Sequence, residues 1–156
     1  MTDPNVPETP WRQVEKPEYG YSVWVPSHWA ERPPNLKNSP WETARFAEPD
    51  DRRHSVIVFR NPVFRSQTPL EHAESIRESL TSAGFAEFEL TETTVASRPG
   101  ARIDCVRRDA GRVWAVREYL VHTGEAVLCL GLGSAAPDED DALFDELAAR
   151  WEVTAA

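Results

Sequence analysis

The chain has 156 residues, of which 17 are Lys or Arg and 26 are Asp or Glu, for a formal net charge of -9. That length suits one domain with one hydrophobic core, and the negative balance removes the phosphate attraction on which nonspecific nucleic-acid binding depends. An acidic chain is also a poor ligand for anionic membrane surfaces, and no window reaches the roughly 20 apolar residues of a spanning helix, so neither nucleic acid nor membrane is an expected partner.

Residues 1–18 hold four prolines among mostly polar and acidic residues, which predicts an extended N-terminal arm. The start, MTDPNVPETPW, lacks the charged and apolar regions of a secretory signal, and a cytoplasmic location is expected. Trp11 is the arm's one adhesive residue, either packing back onto the domain or docking a partner.

Residues 19–153 are expected to form one domain. YGYSVWVPSHW from Tyr19 to Trp29 alternates Tyr21, Val23 and Val25 against Ser22 and Trp24, a half-buried strand stopped at Pro26. The prolines of 32–40 mark a loop. Trp41 to Glu48 predicts a second strand, Pro49-Asp50-Asp51 a turn, and SVIVFR from Ser55 a third strand whose unbroken apolar run suggests burial on both sides.

Thr68, Pro69 and Glu71 are the cap, first-turn proline and reciprocal partner of a capping box. They open a helix along which Leu70, Ala73, Ile76 or Arg77, Leu80 and Ala83 recur at helical spacing, and Gly84 ends it. Phe85 to Ala96 predicts a strand, with a turn at Arg98-Pro99-Gly100. A three-strand meander follows from Arg102 to Ser134, turning at Ala110-Gly111 and at Thr123-Gly124-Glu125. Pro137 then opens a last helix, with Asp138 to Asp141 at its positive end and Leu143, Phe144, Leu147 and Trp151 as its stripe.

Strand parity divides the meander into two faces. One carries Ala115, Arg117, Tyr119 and Val121 with Leu128, Leu130 and Leu132. The other carries Trp114, Val116, Glu118 and Leu120 with Val127, Cys129, Gly131 and Gly133. A one-residue bulge at the first turn would decide which face takes Ile103 and Cys105. Cys105 and Cys129 fall two strand spacings apart, roughly 9–10 Å, beyond the reach of about 7 Å that a disulfide allows. They are read as small buried hydrophobes.

Gly20-Tyr21-Ser22-Val23-Trp24-Val25-Pro26 followed by Trp29 resembles the opening of PsbP/Mog-like domains, a family that includes bacterial lipoproteins and secretion-effector chaperones. The resemblance extends through the helix after the third strand, the meander and the closing helix. It implies an α+β fold, a curved and mainly antiparallel sheet of about six strands packed with two main helices. It also implies an accessory role, binding a larger protein without catalysis, and it supplies no catalytic residue to carry over. The chain departs from the lipoprotein members in showing no leader and no lipidation cysteine near its start.

The residues themselves agree with that expectation. His28, His54, His72 and His122 are not spaced with one another or with cysteine as metal ligands are, and all four are expected at the surface. A mid-strand thiol is a poor nucleophile, and Asp138 to Asp141 lacks the ligand spacing of a calcium loop. Gly131-Leu132-Gly133-Ser134 lacks the Lys-Ser/Thr of a phosphate loop; its glycines are expected to let Trp24 or Trp114 lie close to the strand. No cofactor and no metal are expected. With both helices on the leucine-rich face, Trp24, Trp114, Val116, Glu118, Leu120 and Val127 are expected to form an apolar protein-binding patch on the open face. The alternatives are that loop 32–40, the arm or a second copy in a homodimer covers it. A different class of function, a small-molecule binder or enzyme using the same concavity, is the other reading.

Overall fold

The computed structural model describes residues 10–51, 53–62 and 67–154. In chain order its elements are β1 (Trp11–Lys16), β2 (Tyr21–Pro26), β3 (Ala30–Arg32), β4 (Glu42–Ala47), β5 (His54–Pro62), α1 (Pro69–Ser82), β6 (Ala86–Val95), β7 (Arg98–Asp109), β8 (Arg112–His122), β9 (Ala126–Ser134), α2 (Pro137–Arg150) and β10 (Glu152–Val153). The described strands form two antiparallel sheets, one of seven in the order β3-β4-β5-β9-β8-β7-β6 and one of three, β1-β2-β10. The segment predicted as an extended arm thus supplies a paired strand from Trp11, with Trp11 opposite Pro26. Trp11 packs back against the core, and the Arg150 guanidinium sits 4.7 Å above its ring. Residues 1–9 lie outside the described residues.

Strand parity holds without a break from β5 through β9 and β8 to β7. Tyr119 pairs with Leu130 and Val121 with Leu128, whereas Glu118 pairs with Gly131 and Leu120 with Cys129. The β7–β8 turn is a two-residue Ala110-Gly111 connection with both residues at positive φ (49° and 78°), the geometry that matches strand twist. No bulge intervenes, so Ile103, opposite Glu118, and Cys105, opposite Val116, join the Glu118 face.

The turn placed at Arg98-Pro99-Gly100 is corrected: the chain reverses at Ala96-Ser97, both at positive φ (50° and 64°), and Arg98 already pairs with Val95. Pro99 precedes the β8 pairing, which begins at Gly100, so its missing N–H opens no gap in that ladder. Gly100 is required for contact instead, since a Cβ there would meet the Leu120 carbonyl and lie 2.7 Å from Val95 Cγ2.

The two helices cover opposite faces, contrary to the sequence expectation. The leucine-rich face receives α2, through Phe144 and Leu147, together with the small sheet, through Tyr21, Val23 and Val25. The other face receives α1, whose Ala73 packs with Ala101, Ile103, Leu120, Val127 and Cys129. An apolar stripe says that a helix is buried on one side, not on which side of a sheet. Counting alternations through β9, β8 and β7 shows that β5 and β6 run parallel within one sheet, so α1 is a crossover connection, whose hand is restricted.

The capping box of α1 is present in full: the Glu71 amide donates to Thr68 Oγ1 at 3.1 Å, and the Thr68 amide donates to Glu71 Oε1 at 3.0 Å. Thr68→Ala is expected to lower the unfolding free energy by about 0.5–2 kcal/mol, read from urea denaturation. An unchanged midpoint would remove the box as a determinant of where α1 starts.

Candidate functional site

Among the described residues, two buried polar clusters bear on function, and each keeps unpartnered atoms, Arg53 Nε and His54 Nε2 in the first and Glu118 Oε2 in the second. The first joins the start of β5, the end of β9 and the start of α2. Asp140, only 1% exposed, accepts from Arg53 Nη2 at 3.0 Å, from His54 Nδ1 at 3.2 Å and from Ser134 Oγ at 2.5 Å. Trp29 stacks on the His54 ring at 4.7 Å. His54 is therefore buried, not a surface histidine as the sequence suggested. The order of contacts is not that of a nucleophilic triad: the serine donates to the carboxylate and no imidazole stands ready to take its proton. The Ser134 oxygen also accepts from the Ala136 amide at 2.8 Å, at a helix start whose cap residue, Ala136, makes no side-chain cap bond. This cluster fastens α2 to the sheet.

The second cluster lies on the α1 face of the large sheet. Glu118, 8% exposed, faces Ile103 on one side and Gly131 on the other, neither of which offers a side-chain donor. Its Oε2 is buried without a hydrogen-bond partner. Burial pushes its carboxyl up to about 7, with a hydrogen bond to Cys129 opposing that shift. Burial likewise pushes the Cys105 thiol up to about 12 and raises Cys129 well above its ordinary value, each with a contribution from the Glu118 charge. Both thiols are free and protonated at neutral pH.

The rest of this face explains why Glu118 is reached at all. Helix α1 packs on β6, β7 and β8, and across the sheet Ile57 and Phe59 of β5, with Trp114 and Val116 of β8, stay half-buried. Reading SVIVFR as buried on both sides is thus corrected: Val56 and Val58 are fully buried, and the residues between them are not. Gly131 and Gly133 form the floor. A Cβ on Gly133 would collide with the Trp114 ring, and one on Gly131 would lie 3.3 Å from Phe59 Cε2 and 3.7 Å from Glu118 Oε1. At the far end of the face His72 meets His122 edge to face at 5.9 Å, and burial lowers both imidazoles below their ordinary range. His72 was expected on the wet side of its helix and points to the sheet instead.

The residues predicted as one patch therefore separate. Leu120 and Val127, 0% and 1% exposed, belong to the core beneath α1. Trp24 is half-buried on β2, opposite Gln13, in the other sheet. Trp114, Val116 and Glu118 do share a face, which Ile57 and Phe59 complete. The expected glycine contact is made by Trp114 on Gly133 and not by Trp24. Glu118 takes no arginine partner across the strands, because Arg117 points to the opposite face and bonds Asp104, Asp141 and Asp145.

Among the described residues no group of three or more His, Cys, Asp or Glu stands at metal-binding geometry, and no helix is long and apolar enough to cross a membrane. An open cleft of about 620 Å³ between the β6–β7 turn and the end of α2 is lined by Val95, Ser97, Tyr119, Trp151 and Glu152 and brings no histidine or thiol to that carboxylate.

No family model and no curated protein matches the chain, but solved structures do. PsbP (CyanoP) from Synechocystis sp. PCC 6803 superposes with a TM-score of 0.62 at 15% identity, covering 98% of each chain. The Ran-binding protein Mog1p of Saccharomyces cerevisiae gives 0.61 at 11%, covering 95% of this chain and 97% of its own. LpqN of Mycobacterium tuberculosis, described as involved in cell envelope biogenesis, gives 0.56 at 15%, covering 94% and 87%. At such identities the likeness speaks for the fold. Since it spans nearly every residue of this chain and of theirs, through both sheets and both helices, the chain has the PsbP/Mog-like α+β fold.

Proposed function

We propose that this is a non-enzymatic accessory protein of the cytoplasm, an adaptor or chaperone that docks a larger protein on the half-open part of the α1 face. The observation that carries this reading is the row of half-buried Ile57, Phe59, Trp114 and Val116 beside the uncompensated Glu118. Aromatic residues around a desolvated centre are the usual energetic focus of protein interfaces. Mog1p, which shares the fold, is a protein-binding protein by its own description. The two thiols beside Glu118 are held protonated by burial, so they make poor partners for acid–base or nucleophilic chemistry, and this favours docking over the enzyme reading.

Trp114→Ala tests the proposal. A protein captured by the wild-type chain from its native cytoplasm is expected to be lost with this variant and kept with Trp24→Ala, while thermal stability changes little. A loss of about 3–5 kcal/mol in folding stability would mark Trp114 as core and remove this face as the docking surface. A wild-type chain that sediments as a dimer, and becomes monomeric with Trp114→Ala, would assign the face to a second copy.

A further inference from the structure

Among the described residues, Glu118 is the one acid on the α1 face buried with a carboxylate oxygen that has no hydrogen-bond partner. A buried carboxylate is normally met by donors, yet Oε2 has none. Two described cations that share its face are engaged elsewhere. Arg45 gives its Nε and Nη2 to Glu42 at 2.6 and 2.7 Å, and Arg107 lies over the Phe85 ring at 5.1 Å. The surroundings also have a particular shape. Phe59 and the Glu118 carboxylate converge above Gly131, and the Trp114 ring lies on Gly133 two residues along the same strand. Side-chain-free floor positions, two half-exposed aromatic rings and a carboxylate short of donors therefore occupy one stretch of the β5–β9–β8 surface.

The geometry points to this stretch as the seat for an arginine side chain of the protein partner, its guanidinium donating to the Glu118 carboxylate and stacking against the rings of Trp114 and Phe59. Arginine fits better than lysine for physical reasons. Its planar cation stacks on aromatic faces, is weakly hydrated and therefore less costly to bury, and presents paired N–H groups to one carboxylate. The net charge of -9 draws a basic segment toward the surface before contact. The inference rests on the docking reading above and names what that docking recognises.

The experiment titrates isotope-labelled protein at millimolar concentration with the blocked peptide acetyl-Gly-Arg-Gly-amide and, separately, with its citrulline counterpart, which keeps the shape and loses the charge. With the arginine peptide, the Trp114 indole N–H and the Gly131 and Gly133 amides are expected to shift. Citrulline is expected to bind at least about tenfold more weakly, the loss that follows removal of a charge-assisted hydrogen bond. Glu118→Gln, isosteric and neutral, is expected to keep the spectrum of a folded chain and abolish the preference for arginine. Equal responses to the two peptides, no response to either, or an undiminished preference in Glu118→Gln would each overturn the assignment. Partner capture that depends on Trp114 but ignores Glu118→Gln would leave the docking face standing and remove the arginine seat. The reverse pattern, an arginine preference without any Trp114-dependent partner, would remove the docking face alone.

Discussion

Asp140→Ala is expected to lower the unfolding free energy by about 3–5 kcal/mol, the usual cost of breaking a buried charged network from one side. The substitution strands three donors at once: Arg53 Nη2, His54 Nδ1 and Ser134 Oγ all converge on this carboxylate. It also frees the first turn of α2 from the ends of β5 and β9. Asp140→Asn keeps the size and one acceptor and is expected to lose less. Urea denaturation of the three proteins provides the measurement. A loss below about 1 kcal/mol for the alanine variant, the range of ordinary surface substitutions, would show that the network is not what holds α2.

Glu118→Gln is expected to stabilise the isolated chain at alkaline pH and to leave it unchanged in acid. In the folded chain the carboxyl titrates near 7 against an ordinary value of 4.5, so the folded state holds its proton more tightly than the unfolded state does. Below pH 4.5 both states are protonated and there is no penalty. As pH rises from 4.5 to 7 the unfolded chain ionises first and stability falls; above 7 the penalty is complete and constant. A displacement of that size corresponds to about 3 kcal/mol. The titratable groups facing Glu118 are the thiols of Cys129 and Cys105, which burial keeps protonated across this range, so the difference between wild type and variant isolates the carboxyl. Urea midpoints measured from pH 4 to pH 8 are expected to diverge in favour of the variant. A difference that stays flat across that range would mean that Glu118 is solvated or paired.

The cost of keeping an ionisable group in that position also bears on function. A neutral residue of similar shape is expected to serve the isolated fold better, and under the docking reading proposed above the carboxylate serves a contact made after folding.

The strand pattern was legible in the sequence because side-chain alternation is a local, period-two property that survives any register of even parity. Val121 and Leu128 were assigned to one face and Glu118 to the other by counting alone, and the registers agree. The Thr68–Glu71 box and the Ala110-Gly111 turn were equally legible, since each is closed by atoms a few residues apart. The Ala96-Ser97 turn was not, because neither residue favours positive φ and the neighbouring Pro-Gly pair carries the stronger turn signal.

What the sequence determined by itself was the sorting of residues between faces, the capped start of α1 and the resemblance that named the fold. The tertiary structure decided which face each helix covers, and with it the membership of the candidate site. Leu120 and Val127 went under α1, Trp24 went to a separate sheet, and Ile57 and Phe59 came up beside Trp114 and Glu118. Strand parity gives a side but not its cover, because cover depends on crossovers and pairings that join residues far apart in the chain. Asp140 and His54, 86 positions apart, meet for the same reason, with no local signal in the sequence to announce it.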